Sequence, residues 1–275
     1  MSLSRRGSSL FELLIALAVT GMLGTLTADI LARAAFRLRD RSERMAAEHG
    51  LRVAASAVRS ALESLGQDAT SGSDLLSNGA AGFSARATRA AGVVCDVSPG
   101  RFLARAGSPW WNALRDPVAG RDSLLAGALD STGWRVFPLI AAPRPGVCPD
   151  GAAALELPTA SDSASIASLG PGSPLRVVEN IELRLYSSPP DQWLGMRLLA
   201  TGQFIQPFAG PLTPTGFSLI YETRSGQAAL LPADVSSVSF RVEALTERAG
   251  GVGLIRGATP RLDSVSGFVA LVNSR

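Results

Sequence analysis

Arg5-Arg6-Gly7-Ser8-Ser9-Leu10-Phe11-Glu12-Leu13-Leu14-Ile15-Ala16-Leu17-Ala18-Val19-Thr20-Gly21-Met22-Leu23-Gly24-Thr25-Leu26-Thr27-Ala28 begins with two positive charges and then holds one ionisable side chain, Glu12, before Asp29. Together with Ile30, Leu31 and Ala32 the apolar run reaches the roughly 20 residues that an α-helix needs to cross a bilayer core. Basic residues favour the cytoplasmic flank, so Arg5 and Arg6 predict a single pass through the inner membrane with the rest of the chain in the periplasm or outside.

Glu12 is the residue to explain. A carboxylate at the edge of a lipid-embedded helix costs roughly 2.5–3.5 kcal/mol, so it calls for a partner. One partner is local: Ser9 and Glu12 have the S-x-x-E spacing of a capping box, which satisfies free backbone N–H groups at a helix start. The other is intermolecular, and it comes from a resemblance.

Gly7-Ser8-Ser9-Leu10-Phe11-Glu12 before an apolar helix resembles the prepilin motif of type IV pilins and pseudopilins: a short basic leader, a glycine before the scissile bond, and a glutamate at the fifth mature position. The resemblance implies that prepilin peptidase cuts between Gly7 and Ser8 and methylates the new amine of Ser8. It implies that Glu12 is the assembly carboxylate, paired with the N-terminal amine of a neighbouring subunit. Opposite charges attract more strongly in a low-dielectric setting, and neither is tolerated there alone. A secretory signal places its apolar core before the cut, whereas here the core would stay on the mature chain. Ser8 stands where phenylalanine is commonest, and Asp29 stands where major pilins usually carry proline, which points to a minor subunit. The partners implied are prepilin peptidase, other pilin or pseudopilin subunits through the N-terminal helix, and the inner membrane, followed by a pilus or pseudopilus.

Beyond Asp29 no proline occurs before Pro99, so the helix is expected to continue. Residues 37–44 are polar on all faces. Then Leu51, Ala54, Ala55, Val58, Ala61, Leu62 and Leu65 recur at helical spacing, one apolar stripe with Arg52, Arg59 and Glu63 away from it. The expected organisation is a leader at 1–7, a helix at 8–66 with about 10–32 in the membrane, and a β-rich head at 67–275.

Gly66 to Gly82 reads as a loop. Candidate strands follow at Gly82 to Arg89, Gly92 to Val97, Arg101 to Ala104, Trp134 to Ile140, Ala152 to Leu157 and Leu175 to Tyr186. Others are Gly195 to Leu199, Gly216 to Thr223, Ala228 to Leu231, Val235 to Glu243 and Ser266 to Val272. Val177, Ile181, Leu183 and Leu185 interleave with Glu182 and Arg184, and Val238, Phe240 and Val242 with Ser239, Arg241 and Glu243, as in half-buried antiparallel strands. The fold class is therefore α+β, a long N-terminal helix packed on an antiparallel head, which is also the pilin-like fold that the resemblance implies. Val178-Glu179-Asn180-Ile181-Glu182-Leu183-Arg184-Leu185 and Val235-Ser236-Ser237-Val238-Ser239-Phe240-Arg241-Val242 are similar to W-type minor pilins and J-type minor pseudopilins.

At 275 residues, 46% hydrophobic and 18% charged, the chain can bury a proper core. Its formal charge of +3 gives no argument for nucleic acid. Cys95 and Cys148 are the only cysteines. In an oxidising compartment they are expected to form a disulfide, worth about 4 kcal/mol for a loop of this length, the alternative being two buried thiols. His49, the single histidine, reads as a solvated helix residue, and no metal, cofactor or catalytic constellation is expected. Asp116, Asp122, Asp130, Asp150 and Asp162 fall in loop-like stretches, where turn chemistry is the ordinary reason for them and a calcium site the sharper one. Trp110, Trp111, Trp134 and Trp193 read as core or rim packing. Two other readings remain open: a signal-anchored periplasmic binding or scaffold protein that never polymerises, and a secreted head released at Ala32-Arg33-Ala34.

Overall fold

A computed structural model describes residues 10–68, 72–130, 133–189, 191–245 and 262–271. One helix, α1 (Leu10–Glu63), runs for 54 residues, about 80 Å at 1.5 Å per residue. Asp29 does not interrupt it, because an aspartate keeps the N–H that a proline would lack.

The strands are β1 (Gln67–Asp68), β2 (Gly72–Ser73), β3 (Leu75–Gly79), β4 (Gly82–Ser98), β5 (Arg101–Arg105), β6 (Trp111–Ala113), β7 (Asp122–Gly127) and β8 (Trp134–Pro138). They continue as β9 (Arg144–Val147), β10 (Ala153–Pro158), β11 (Pro174–Ser188), β12 (Asp191–Leu198), β13 (Gln206–Leu212), β14 (Phe217–Glu222), β15 (Ser237–Leu245) and β16 (Leu262–Ala270). The main sheet runs β13-β12-β11-β4-β5-β10-β9, with β3 and β6 also on β4, and β7 on β11 carrying β8. A second sheet has the order β14-β15-β16. Every pairing among the described residues is antiparallel, so the fold is α+β with a helix leading into an antiparallel head.

The second half of α1 is held between the two sheets. Ala47, Leu51, Ala54, Val58, Leu62 and Leu65 are buried in one cluster with Leu183, Leu194, Leu212, Phe217, Val238 and Phe240. Arg52, Arg59 and Glu63 stay exposed, as the helical period requires. At Gly50 the helix meets the β13 backbone closely: a Cβ there would sit 3.1 Å from the Gly210 carbonyl oxygen. The missing side chain of Gly50 thus lets the sheet backbone come up to the helix. β16 lies along α1, with Val265 and Leu51 lining one cleft. The Tyr221 hydroxyl donates to the Gly79 carbonyl at 3.1 Å, tying β14 to the β3–β4 hairpin, and burial raises its pKa.

Several expectations are corrected. The stretch read as a loop from Gly66 to Gly82 contains β1, β2 and β3, because its polar groups serve the fold: the Gly66 N–H donates to the buried Asp74 carboxylate at 2.9 Å, and Arg176 pairs with Asp74 at 2.9 Å. β4 passes unbroken through the expected gap at Ala90 and Ala91, since β11 and β6 pair with those residues from either side. Ala228 to Leu231 makes only an isolated bridge to Glu222 before a turn of 3₁₀ helix at Pro232–Asp234. β6, β7, β9 and β13 are additions to the expected strands.

Candidate functional site

Glu12 lies in the first turn of α1. A carboxylate in a first turn is favoured by the positive end of the helix dipole, worth about 0.3–1 kcal/mol when exposed. Gly7 and Ser8, the expected cleavage and methylation positions, and Ser9, the expected capping partner, lie outside the described residues.

Around Glu12 the helix is a bare apolar rod. Residues 10–39 are exposed on every side, and the segment is long and apolar enough to cross a membrane. Its hydroxyls are satisfied internally: Thr20 donates to the Ala16 carbonyl at 2.7 Å, and Thr25 and Thr27 donate to Met22 and Leu23, each at 2.9 Å. That is the chemistry a lipid environment demands of polar groups. Ala16, Thr20, Gly24, Ala28 and Ala32 form an i, i+4 row of small residues, a spacing that lets two membrane helices approach closely. A Cβ on Gly21 or Gly24 would meet nothing within 4 Å. A glycine inside a helix costs about 1 kcal/mol relative to alanine, and no internal contact here offsets it. Asp29 pairs with Arg33 at 2.8 Å in the favourable acid-first order. The small-residue row and this pair went unread in the sequence, although spacing alone could have found both.

In the head, Cys95 and Cys148 form a disulfide, with Cα atoms 5.7 Å apart. Cys95 belongs to β4 and Cys148 follows β9, so the bond staples the sheet interior to its β9–β10 edge, over Leu103 and Ala154. Closing 53 residues is worth about 4 kcal/mol in the chain-entropy model.

The strongest electrostatic feature is one that sequence reasoning missed. Glu179 of β11 has a side chain 0% exposed, and Arg89 (Nε to Oε2, 2.7 Å), Arg115 (3.2 Å) and Arg121 surround it. Arg115 also grips Asp122 through two bonds of 2.6 and 2.7 Å, and the Val118 N–H donates to Asp122 at 2.7 Å. Burial pushes the Glu179 carboxyl up, but the hydrogen bonds from Arg121 and Arg89 outweigh it and leave the pKa below the ordinary value. Asp122, and secondarily Glu179, raise the pKa of Arg115. Thr88 pairs with Val178 and Ala90 with Val177, so Arg89 is the extra residue of a β-bulge, which aims its side chain at Glu179. The network locks the loop from Leu114 to Arg121 onto the sheet.

This corrects the reading of Asp122 as a turn residue in a loop: it opens β7 and is engaged by Arg115. Asp150 pairs with Arg105, whose hydrogen bond lowers its pKa, and Asp162 accepts from Ser165 in a turn. Among the described residues no three His, Cys, Asp or Glu side chains gather as a metal would need. Trp111 packs on the core, while Trp110 is half-exposed beneath the Arg105 guanidinium at 5.5 Å. His49 is exposed on α1.

The chain matches no protein-family model, no curated protein and no solved structure.

Proposed function

We propose that this chain is a minor pilin or pseudopilin: a membrane-anchored filament subunit, processed by prepilin peptidase between Gly7 and Ser8, that takes part in starting or tipping a type IV pilus or type II secretion pseudopilus. The observation that carries the reading is the division of α1, one unbroken helix whose first half is an uncovered apolar rod and whose second half is locked into the head. A plain anchor needs only the rod. Cohesion in a filament needs a rod that is rigidly joined to the head and can pack on neighbouring rods, and the small-residue row at Ala16 to Ala32 supplies a packing face. Glu12 then supplies register by pairing with a neighbour's amine, a use for which polar groups in apolar interfaces are best attested.

The disulfide supports a periplasmic or external head, because such bonds persist in oxidising compartments. It carries more weight here than charge counting. Five arginines between Arg33 and Arg44 outnumber Arg5 and Arg6, and by count alone would draw the head side inward.

The test is the mass of the N-terminal peptide from membranes of cells carrying a prepilin peptidase. A start at Ser8, with or without one methyl group, is expected. Retained Met1, or a start near Ala35, would overturn the proposal in favour of a non-polymerising signal-anchored protein or a secreted head. Gly7→Leu should block processing, whereas Glu12→Val should leave processing intact and reduce incorporation into filaments.

A further inference from the structure

Between the apolar rod and the head, residues 33–44 carry five arginines against two carboxylates. Arg33, Arg37 and Arg41 stand at i, i+4 and i+8, so they form one column. All three are exposed. Arg33 is paired with Asp29, whereas Arg37 and Arg41 have no ion pair among the described residues. Two like charges at i, i+4 repel by a few tenths of a kcal/mol, so nothing inside the helix accounts for them.

Their position does. If Leu13 to Ala32 fills the roughly 30 Å hydrocarbon core, Arg37 lies about 6 Å beyond Arg33, within the headgroup layer, and Arg41 about another 6 Å out. Side chains on an α-helix lean toward its N-terminus, which here is toward the bilayer, and arginine stems reach back to the interface. Arg37 is also two heptads before Leu51, so it continues, below the head, the helix face that the head covers. A guanidinium offers a planar fork that matches phosphate oxygens bidentately.

We infer that Arg37 and Arg41 form a phosphate-binding column for anionic phospholipid headgroups of the leaflet beneath the head, fixing the depth of the helix and the height of the head above the membrane. The inference rests on the membrane-spanning reading of α1 and is independent of polymerisation.

The test is native mass spectrometry of the full-length protein in detergent, titrated with phosphatidylglycerol or phosphatidylcholine, comparing wild type with Arg37→Gln/Arg41→Gln. Arg144→Gln, on the exposed β9 edge, controls for charge elsewhere. The expected result is tighter retention of phosphatidylglycerol, weakened about 25-fold in the double variant at roughly fivefold per arginine, with Arg144→Gln unchanged. Inorganic phosphate at the same concentration should not displace the lipid, and equal competition would overturn the lipid assignment in favour of a free-anion site. Equal lipid retention by wild type and double variant would overturn the inference. Alkaline carbonate extraction of membranes separates the two levels. A protein that stays in the pellet but shows no arginine effect sinks the column alone, whereas release into the supernatant sinks the membrane-spanning reading with it.

Discussion

The two halves of α1 use apolar side chains in opposite ways. From Leu10 to Leu38 the leucines, isoleucines and phenylalanines point in all directions and stay uncovered, whereas from Ala47 to Leu62 alanine, valine and leucine hold a single line and are sealed. The first pattern is soluble only in an apolar medium or against like helices. The second is an ordinary amphipathic face whose partner is encoded in the same chain. One element thus shows that covalent continuity does not imply a shared environment: the packing partner of each half decides which residues it tolerates.

A charge separates the two halves most sharply. Leu62→Asp places an unpaired carboxylate at a fully buried position and should unfold the head, a loss of more than about 4 kcal/mol read from chemical unfolding of the detergent-solubilised protein. Leu17→Asp in the exposed half should leave the same unfolding curve unchanged. If both variants shift it, the exposed half is not independent of the head.

Next comes the head's internal network. Glu179→Ala should cost about 3 kcal/mol, at the low end for a broken buried pair because Arg89 and Arg121 keep 21% and 28% of their side chains exposed and can turn to water. The folded pKa of Glu179 is lowered, so its contribution is present above the unfolded value near 4.3 and is lost as pH falls through the folded value. Wild type should therefore weaken on acidification below about pH 4, and the variant should weaken less steeply over that range. Equal acid slopes would remove Glu179 from the account.

The smallest of the three compares two glycines. Gly50→Val should destabilise the head by about 1–3 kcal/mol, since its Cβ would press on the Gly210 carbonyl and its branches add to the overpacking. Gly24→Val meets open space and should leave head stability within about 0.5 kcal/mol of wild type. The same change would be felt in any helix-to-helix contact through the small-residue row.

What was legible in the sequence followed from solvent contrast. The stripe from Leu51 to Leu65 and the alternation in β11 and β15 show because one face meets water. β7 was hidden because β11 and β8 pair on its two sides and Ser123 alone of its residues escapes full burial, which leaves no period to read. β9 and β13 were hidden by Pro145, Pro207 and Pro211, which edge strands tolerate. Glu179 reads as one more polar residue in β11, yet the bulge at Arg89 and the loop carrying Arg115 and Arg121 bring three guanidiniums to it from residues 58 to 90 positions away. No local pattern announces a charge whose partners are that distant. The N-terminal motif is the reverse case: it is plain in the letters, and the chemistry proposed for it involves a peptidase and a neighbouring chain, neither of which belongs to this fold.

The unbroken run of α1 from rod to head also has a mechanical meaning. A pull along the helix axis cannot be absorbed at a hinge, so it reaches the contacts with β13, β15 and β16 as shear. Shear loads a row of side chains at once, from Ala47 to Leu65, where peeling would load them one at a time. The head is therefore held more firmly against a pull along the helix than against one that peels it from the helix.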